Sequence, residues 1–211
     1  MLNNHGFDLW ADSYDNSVRQ AEEDNKYPFA GYTKLMNAVY GTVMKNAPAK
    51  VLDVGLGTAM LTKRLYDAGC EITGIDFSAE MLKEARRKMP DATLIQRDFA
   101  LGVPPELAAE NFDFIISTYA LHHLAYDAQE AFILSLLRLL KPDGRLLIGD
   151  VCFPTEEALR QCREQSGELW DDEEYYIVFS GLAPKLSGYH ASFHPFSFCA
   201  GVIEIRIWGK Q

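Results

Sequence analysis

One stretch limits what this chain can fold into more than any other: Ala49-Lys50-Val51-Leu52-Asp53-Val54-Gly55-Leu56-Gly57-Thr58-Ala59. Val51, Leu52 and Val54 suit a strand covered on both faces, and Asp53, near the strand's end, is the one charge among them. Gly55 and Gly57 then allow the backbone to turn sharply and to approach a ligand without a Cβ in the way. A dinucleotide fingerprint places a third glycine where this chain has Met60, so a pyrophosphate is disfavoured and a nucleoside without phosphates is not. An ordinary tight strand-to-helix loop is the other reading of two glycines. The spacing downstream decides between them.

That spacing alternates. Leu61, Leu65 and Ala68 recur at helical intervals and Gly69 stops the run, after which Cys70 to Ile75 reads as a second strand ending at Asp76. Ser78 is placed to cap the next helix, with Met81, Leu82, Ala85 and Met89 inward and Pro90 as its stop. Thr93 to Gln96 predicts strand three with Asp98 just beyond, and Phe112 to Thr118 predicts strand four. Asp127 and Glu130 suggest a capping box opening a long helix with Phe132, Leu136, Leu139 and Leu140 inside. Lys141-Pro142-Asp143-Gly144 reads as a turn into strand five, Arg145 to Asp150. Helices are expected at Thr155 to Gln165 and Asp172 to Phe179, and an antiparallel hairpin at Tyr189 to Phe196 and Phe198 to Trp208. The fold class is therefore α/β: a Rossmann-like, doubly wound, mostly parallel seven-stranded sheet with helices on both faces and a C-terminal antiparallel hairpin.

In such sheets ligands lie beyond the carboxyl ends of the strands, and Asp53, Asp76, Asp98, Ser117 and Asp150 all fall there. One domain over 1–211 is expected, with 1–48 a helical cap or lid and 49–211 the α/β core. In the cap, Met36, Val39, Tyr40 and Val43 form an apolar stripe that reads as core. Trp10, Tyr14, Tyr27 and Tyr32 are suited to covering the glycine turn. No run approaches the roughly eighteen apolar residues of a membrane span, and the N-terminus lacks the basic and apolar regions of an export signal. Cys70, Cys152, Cys162 and Cys199 are scattered without metal or redox spacing, so reduced thiols and a cytoplasmic location are expected. A net charge of −10 disfavours nucleic acid, and Arg86-Arg87-Lys88, beside Glu80 and Glu84, reads as a solvated helix face.

These residues resemble the class I S-adenosylmethionine-dependent methyltransferases over nearly the whole chain. Val51 to Ala59 is similar to the family's first motif, with Ala59 where a third glycine is usual. Gly74 to Leu82 is similar to the second and Asp98-Phe99 to the third. Phe112 to Ser117 with Ala120-Leu121-His122-His123-Leu124 is similar to the fourth, and Leu139 to Leu146 to the fifth. Phe7-Asp8-x-Trp10-Ala11-x-x-Tyr14-Asp15 resembles the N-terminal signature of its small-molecule members, notably an uncharacterised bacterial subgroup.

The resemblance implies S-adenosylmethionine as cofactor, with Asp76 on the ribose hydroxyls, Phe77 and Met81 around adenine, and Asp98 with Phe99 reading the adenine edge. It also implies Gly55 and Gly57 against the methionyl part with Asp53 nearby, Ser117 and Tyr119 near the transferred methyl, and Tyr14 and Tyr27 in the lid. His122 is the candidate base, because imidazole titrates near neutrality, and His123 is expected to point elsewhere on a helix and serve structure. No metal site is expected, His190 and His194 included. The implied partner is a small neutral or cationic methyl acceptor, with the protein a monomer or homodimer. The rival classes are a nicotinamide-dependent oxidoreductase, opposed by Met60 and the antiparallel tail, and a catalytically idle cofactor-binding regulator.

Overall fold

The computed structural model describes residues 26–207, so Trp10, Tyr14 and the motif around them lie outside the described residues. Helix α1 (Tyr32–Met44) precedes strand β1 (Lys50–Val54), and α2 (Met60–Asp67), β2 (Glu71–Asp76), α3 (Ala79–Lys88) and β3 (Thr93–Gln96) follow. Then come β4 (Phe112–Thr118), α4 (Tyr126–Leu137), β5 (Leu140–Phe153), α5 (Glu156–Ser166), β6 (Ile177–Val178), the single turn α6 (Phe179–Leu182), β7 (Tyr189–Pro195) and β8 (Ala200–Ile207). The sheet order is β3-β2-β1-β4-β5-β8-β7, with β6 paired beside β5 as an eighth strand. The first five strands in that order run parallel, and β8 and β7 run antiparallel.

Alternation on the central strands explains the two layers. Val51 on β1 and Leu147, Val151 and Phe153 on β5 belong to one core with α1, α2 and α3. Leu52 and Val54, with Leu146, Ile148 and Cys152, belong to a second core with α4. Strands buried on both faces read as apolar runs, which is why they were legible. Ser78 caps α3 as expected, its hydroxyl accepting from the Met81 amide at 3.2 Å.

Four expectations are corrected. Lys141 to Gly144 is no separate turn: β5 already begins at Leu140, and the extra residues bulge between the Phe112 and Phe114 pairings with β4. Asp127 and Glu130 form no capping box, because α4 starts at Tyr126 after Ala125 without a side-chain cap, and Glu130 pairs with Lys185 at 2.6 Å. Helix α4 ends at Leu137, so Leu139 and Leu140 lead into and begin β5. The expected helix over Asp172 to Phe179 is a turn followed by β6, whose pairing with Cys152 and Phe153 overrides local helical preference.

Helix α1 docks through Leu35, fully buried, whose Cδ2 fills the space a Cβ on Gly149 would occupy, 2.5 Å away. Leu35→Ala is expected to cost about 2–5 kcal/mol in urea denaturation, the range for a buried leucine with its cavity. A loss below about 1 kcal/mol would mean that α1 does not pack there in solution.

Candidate functional site

One cavity of about 340 Å³ opens at the carboxyl ends of β1, β2 and β4, beneath the segment leading into α1. Its floor is the two-glycine turn. Gly55 takes φ +73°, and a Cβ there would meet the Ala120 Cβ at 2.5 Å. Gly57 takes φ +53° with open space where its Cβ would be. Ala59, where the resemblance expects glycine, also adopts a left-handed φ of 60° and ψ of 32°. The chain thus keeps the backbone shape that a third glycine would adopt without strain.

Asp76 fixes this floor to the end of β2. One carboxylate oxygen accepts from the Gly57 amide and the other from the Ser78 amide, each at 2.9 Å. Lys88 adds a bond from Nζ to the Thr58 carbonyl at 2.7 Å, tying α3 to the same turn. Phe77, Met81 and Phe99 line the cavity beside Asp76, where their residue types suit an adenine ring.

Asp53 is 1% exposed and lines the cavity with one oxygen taking the Thr62 hydroxyl and the other, Oδ1, without a partner among the described residues. Burial raises its pKa to about 7, with the Thr62 bond opposing and the charge of Asp76 adding to the rise. A buried, half-ionised carboxylate with one bare oxygen is suited to meeting a cation.

The far end of the cavity is aromatic and histidine-rich. Tyr119 follows β4 at φ 51°, packs against Phe29 and Tyr32 with centroids 5.5 and 5.1 Å away, and has a buried hydroxyl without a partner among the described residues. Burial holds that hydroxyl protonated far above its usual range. Tyr27, from the segment before α1, lines the cavity and stacks on Trp170 at 5.3 Å. Its hydroxyl bonds to that of Tyr176.

His122 is buried, with Nδ1 2.5 Å from Asp150 Oδ1 and Nε2 3.5 Å from Glu174 Oε1. Burial alone would push its pKa down, but the charge and hydrogen bond of Asp150, with Glu174 and Asp171 behind them, leave it raised. The expectation that His123 turns away is corrected. Leu121 to His123 is a tight 3-10 turn, so both rings face the cavity with centroids 4.1 Å apart. Burial and then the adjacent His122 hold the His123 pKa down to about 3.

Two predicted cofactor contacts lie outside the lining. Asp98 is exposed and caps the short turn at Phe99, accepting from the Ala100 amide at 2.9 Å. Ser117 is fully buried and donates to the Val54 carbonyl at 2.9 Å, locking β4 to β1 under the glycine turn. Glu174 was missed because its segment read as a helix with no tie to the site, and Thr62 because nothing in its spacing marks a partner for Asp53.

Comparison with known proteins agrees with this geometry. A family model described as a methyltransferase domain matches residues 51–144, from β1 into the β5 bulge. A protein of Geobacillus kaustophilus described as an uncharacterized methyltransferase is 37% identical over 198 residues, covering 89% of this chain and 88% of that protein. The Synechocystis PCC 6803 magnesium protoporphyrin IX methyltransferase, solved with bound SAH, superposes with a TM-score of 0.68 at 19% identity, covering 96% of this chain and 99% of that one. A TehB-like SAM-dependent methyltransferase of Corynebacterium glutamicum gives a TM-score of 0.64 at 19% identity, covering 94% and 98%. At 37% identity to the Geobacillus kaustophilus protein across 89% of its own length, the chain belongs to the methyltransferase family.

Proposed function

We propose that this protein transfers a methyl group from S-adenosylmethionine to a small-molecule acceptor. The observation that carries the reading is the bare Oδ1 of Asp53, buried at the edge of the cavity and next to a turn that leaves room beside Gly57. A ligand bearing an ammonium and a sulfonium but no phosphate fits that corner, since cations stabilise the carboxylate and no pyrophosphate needs the missing glycine. Asp76 lines the cavity at the end of β2, and an ionised carboxylate there is the type of acceptor that two ribose hydroxyls require. Phe77, Met81 and Phe99 supply apolar contact for the base.

When bound, S-adenosylmethionine supplies a methyl group on an already activated leaving group. The chain's part is then positioning and water exclusion. Tyr27, Phe29 and Tyr32 wall the acceptor end, and the Tyr119 hydroxyl offers it a donor. His122, oriented by Asp150, is the group that takes a proton from an acceptor that must lose one. Among the described residues no Lys or Arg lines the cavity, whereas Asp171 and Glu174 do, which favours neutral or cationic acceptors over anionic ones. No described helix is long and apolar enough to cross a membrane.

Calorimetric titration with S-adenosylmethionine, its demethylated product and NAD tests the cofactor, and demethylated product formed with a metabolite panel tests turnover. Binding of the first two and product formation are expected; binding of NAD alone would overturn the reading. Asp76→Ala, with the fold checked by circular dichroism, should weaken S-adenosylmethionine binding at least about tenfold, or about 1.4 kcal/mol, and an unchanged Kd would remove Asp76 from the site.

Affinity should also depend on pH through Asp53. Its pKa of about 7 means that lowering the pH protonates the side chain a bound cation needs ionised, so binding releases a proton. Between pH 7.5 and 5.5 the Kd is expected to rise on the order of tenfold, and Asp53→Asn to flatten that dependence. The same steep profile in the variant would assign the titration elsewhere.

A further inference from the structure

His122, His123 and Glu174 converge at the acceptor end of the cavity, and their potential ligand atoms all lie within 4.8 Å of one another. We propose that these three side chains form a binding site for one zinc-class divalent cation, with the remaining coordination position open to the cavity. Metal ligands at about 2.0–2.1 Å in a tetrahedral shell stand roughly 3.4 Å apart. His122 Nε2 and Glu174 Oε1 are 3.5 Å apart, and His123 Nδ1 stands 4.0 Å from the same oxygen. The first separation is longer than a good hydrogen bond and close to a shared-ligand edge. The second is longer than that edge, so the donors must draw together to share one ion.

The supporting shell is also in place. Asp150 holds His122 Nδ1 at 2.5 Å, while its own oxygens accept from the Leu121 and Val151 amides at 3.0 and 2.8 Å. A carboxylate behind a histidine in this way fixes the ring and leaves the other nitrogen for a metal. Glu174 is held likewise, its Oε2 accepting from the Tyr176 hydroxyl at 2.7 Å, which leaves Oε1 for the two histidines. Two imidazoles and one carboxylate are a borderline donor set that suits zinc and its divalent neighbours better than calcium or magnesium, which prefer oxygen alone.

Three protein ligands with a free position form the pattern of a reactive metal rather than a structural one. The free position lies where the acceptor would sit; that consequence rests on the methyltransferase reading, whereas metal binding itself does not. A coordinated hydroxyl or thiol loses its proton to solvent more readily and becomes the better nucleophile. Metal and proton compete for His122 Nε2, so the loaded protein activates its acceptor by coordination instead of by that imidazole's basicity.

The test is titration of EDTA-treated, dialysed protein with Co²⁺, read by its visible d–d bands, and with Zn²⁺ by calorimetry, both without any nucleoside. One ion per chain is expected, with visible bands of low coordination number. His123→Ala and Glu174→Gln should each weaken binding at least about tenfold, and Tyr176→Phe should weaken it less. Thermal melts and S-adenosylmethionine titration of each variant establish that it is folded. Absence of bands and heat with the wild-type protein, or unchanged affinity in both folded ligand variants, would overturn the site and leave His122 as the acceptor's base, oriented by Asp150. Because the cofactor is titrated separately, failure of the metal site and failure of the methyltransferase reading give different results.

Discussion

The site depends on the carboxylate of Asp76. Its two oxygens bind the amide of Gly57 on the first strand-to-helix turn and the amide of Ser78 at the start of the next helix. Two adjacent loops that would otherwise be shaped only by their own backbone preferences are thereby held in one frame. Parallel pairing of β1 with β2 and β4 sets the frame's height, and Ser117 on Val54 and Lys88 on Thr58 brace it from below and beside. What remains above is a floor of backbone and small residues walled by aromatics.

Charge is distributed along that floor with a gradient of purpose. Beside the glycine turn, Asp53 is buried with one oxygen that has no partner among the described residues, an arrangement costly for a charged carboxylate. At the histidine-rich end, Asp150 lies fully buried but has two amides and the His122 ring around its oxygens, so its polar partners lie within the protein. The first carboxylate keeps one oxygen turned to no described donor, and the second holds a neighbour in place. Identical chemistry at two strand ends therefore does different work, set by how many donors the local backbone supplies.

Much of this was legible in sequence because it is local. The two-faced strands, the Ser78 cap, the glycine turn and the acid at each strand end all advertise themselves within a few residues. The parts that were not legible depend on distant partners. Glu174 gains meaning only when β6 pairs with β5 and carries the preceding turn over the histidines, 51 positions after His123. His123 was misplaced because a 3-10 turn and an α-helix look alike in a sequence of five residues, yet send the second side chain in different directions. Asp98 and Ser117 stand where motif position put them, but one caps a turn and the other bonds a carbonyl. Register alone does not determine which way a side chain is used.

Trp170 packs between Tyr27 and Tyr176, the two tyrosines that join the segment before α1 to the chain around Glu174. It is the only tryptophan among the described residues, and its indole stacks on Tyr27, which roofs the cavity from the segment before α1. Any ligand that lifts or settles that roof alters the stacking and the solvent around the indole. With Trp10 and Trp208 replaced, the indole of Trp170 would serve as a built-in optical reporter on the packing of that roof.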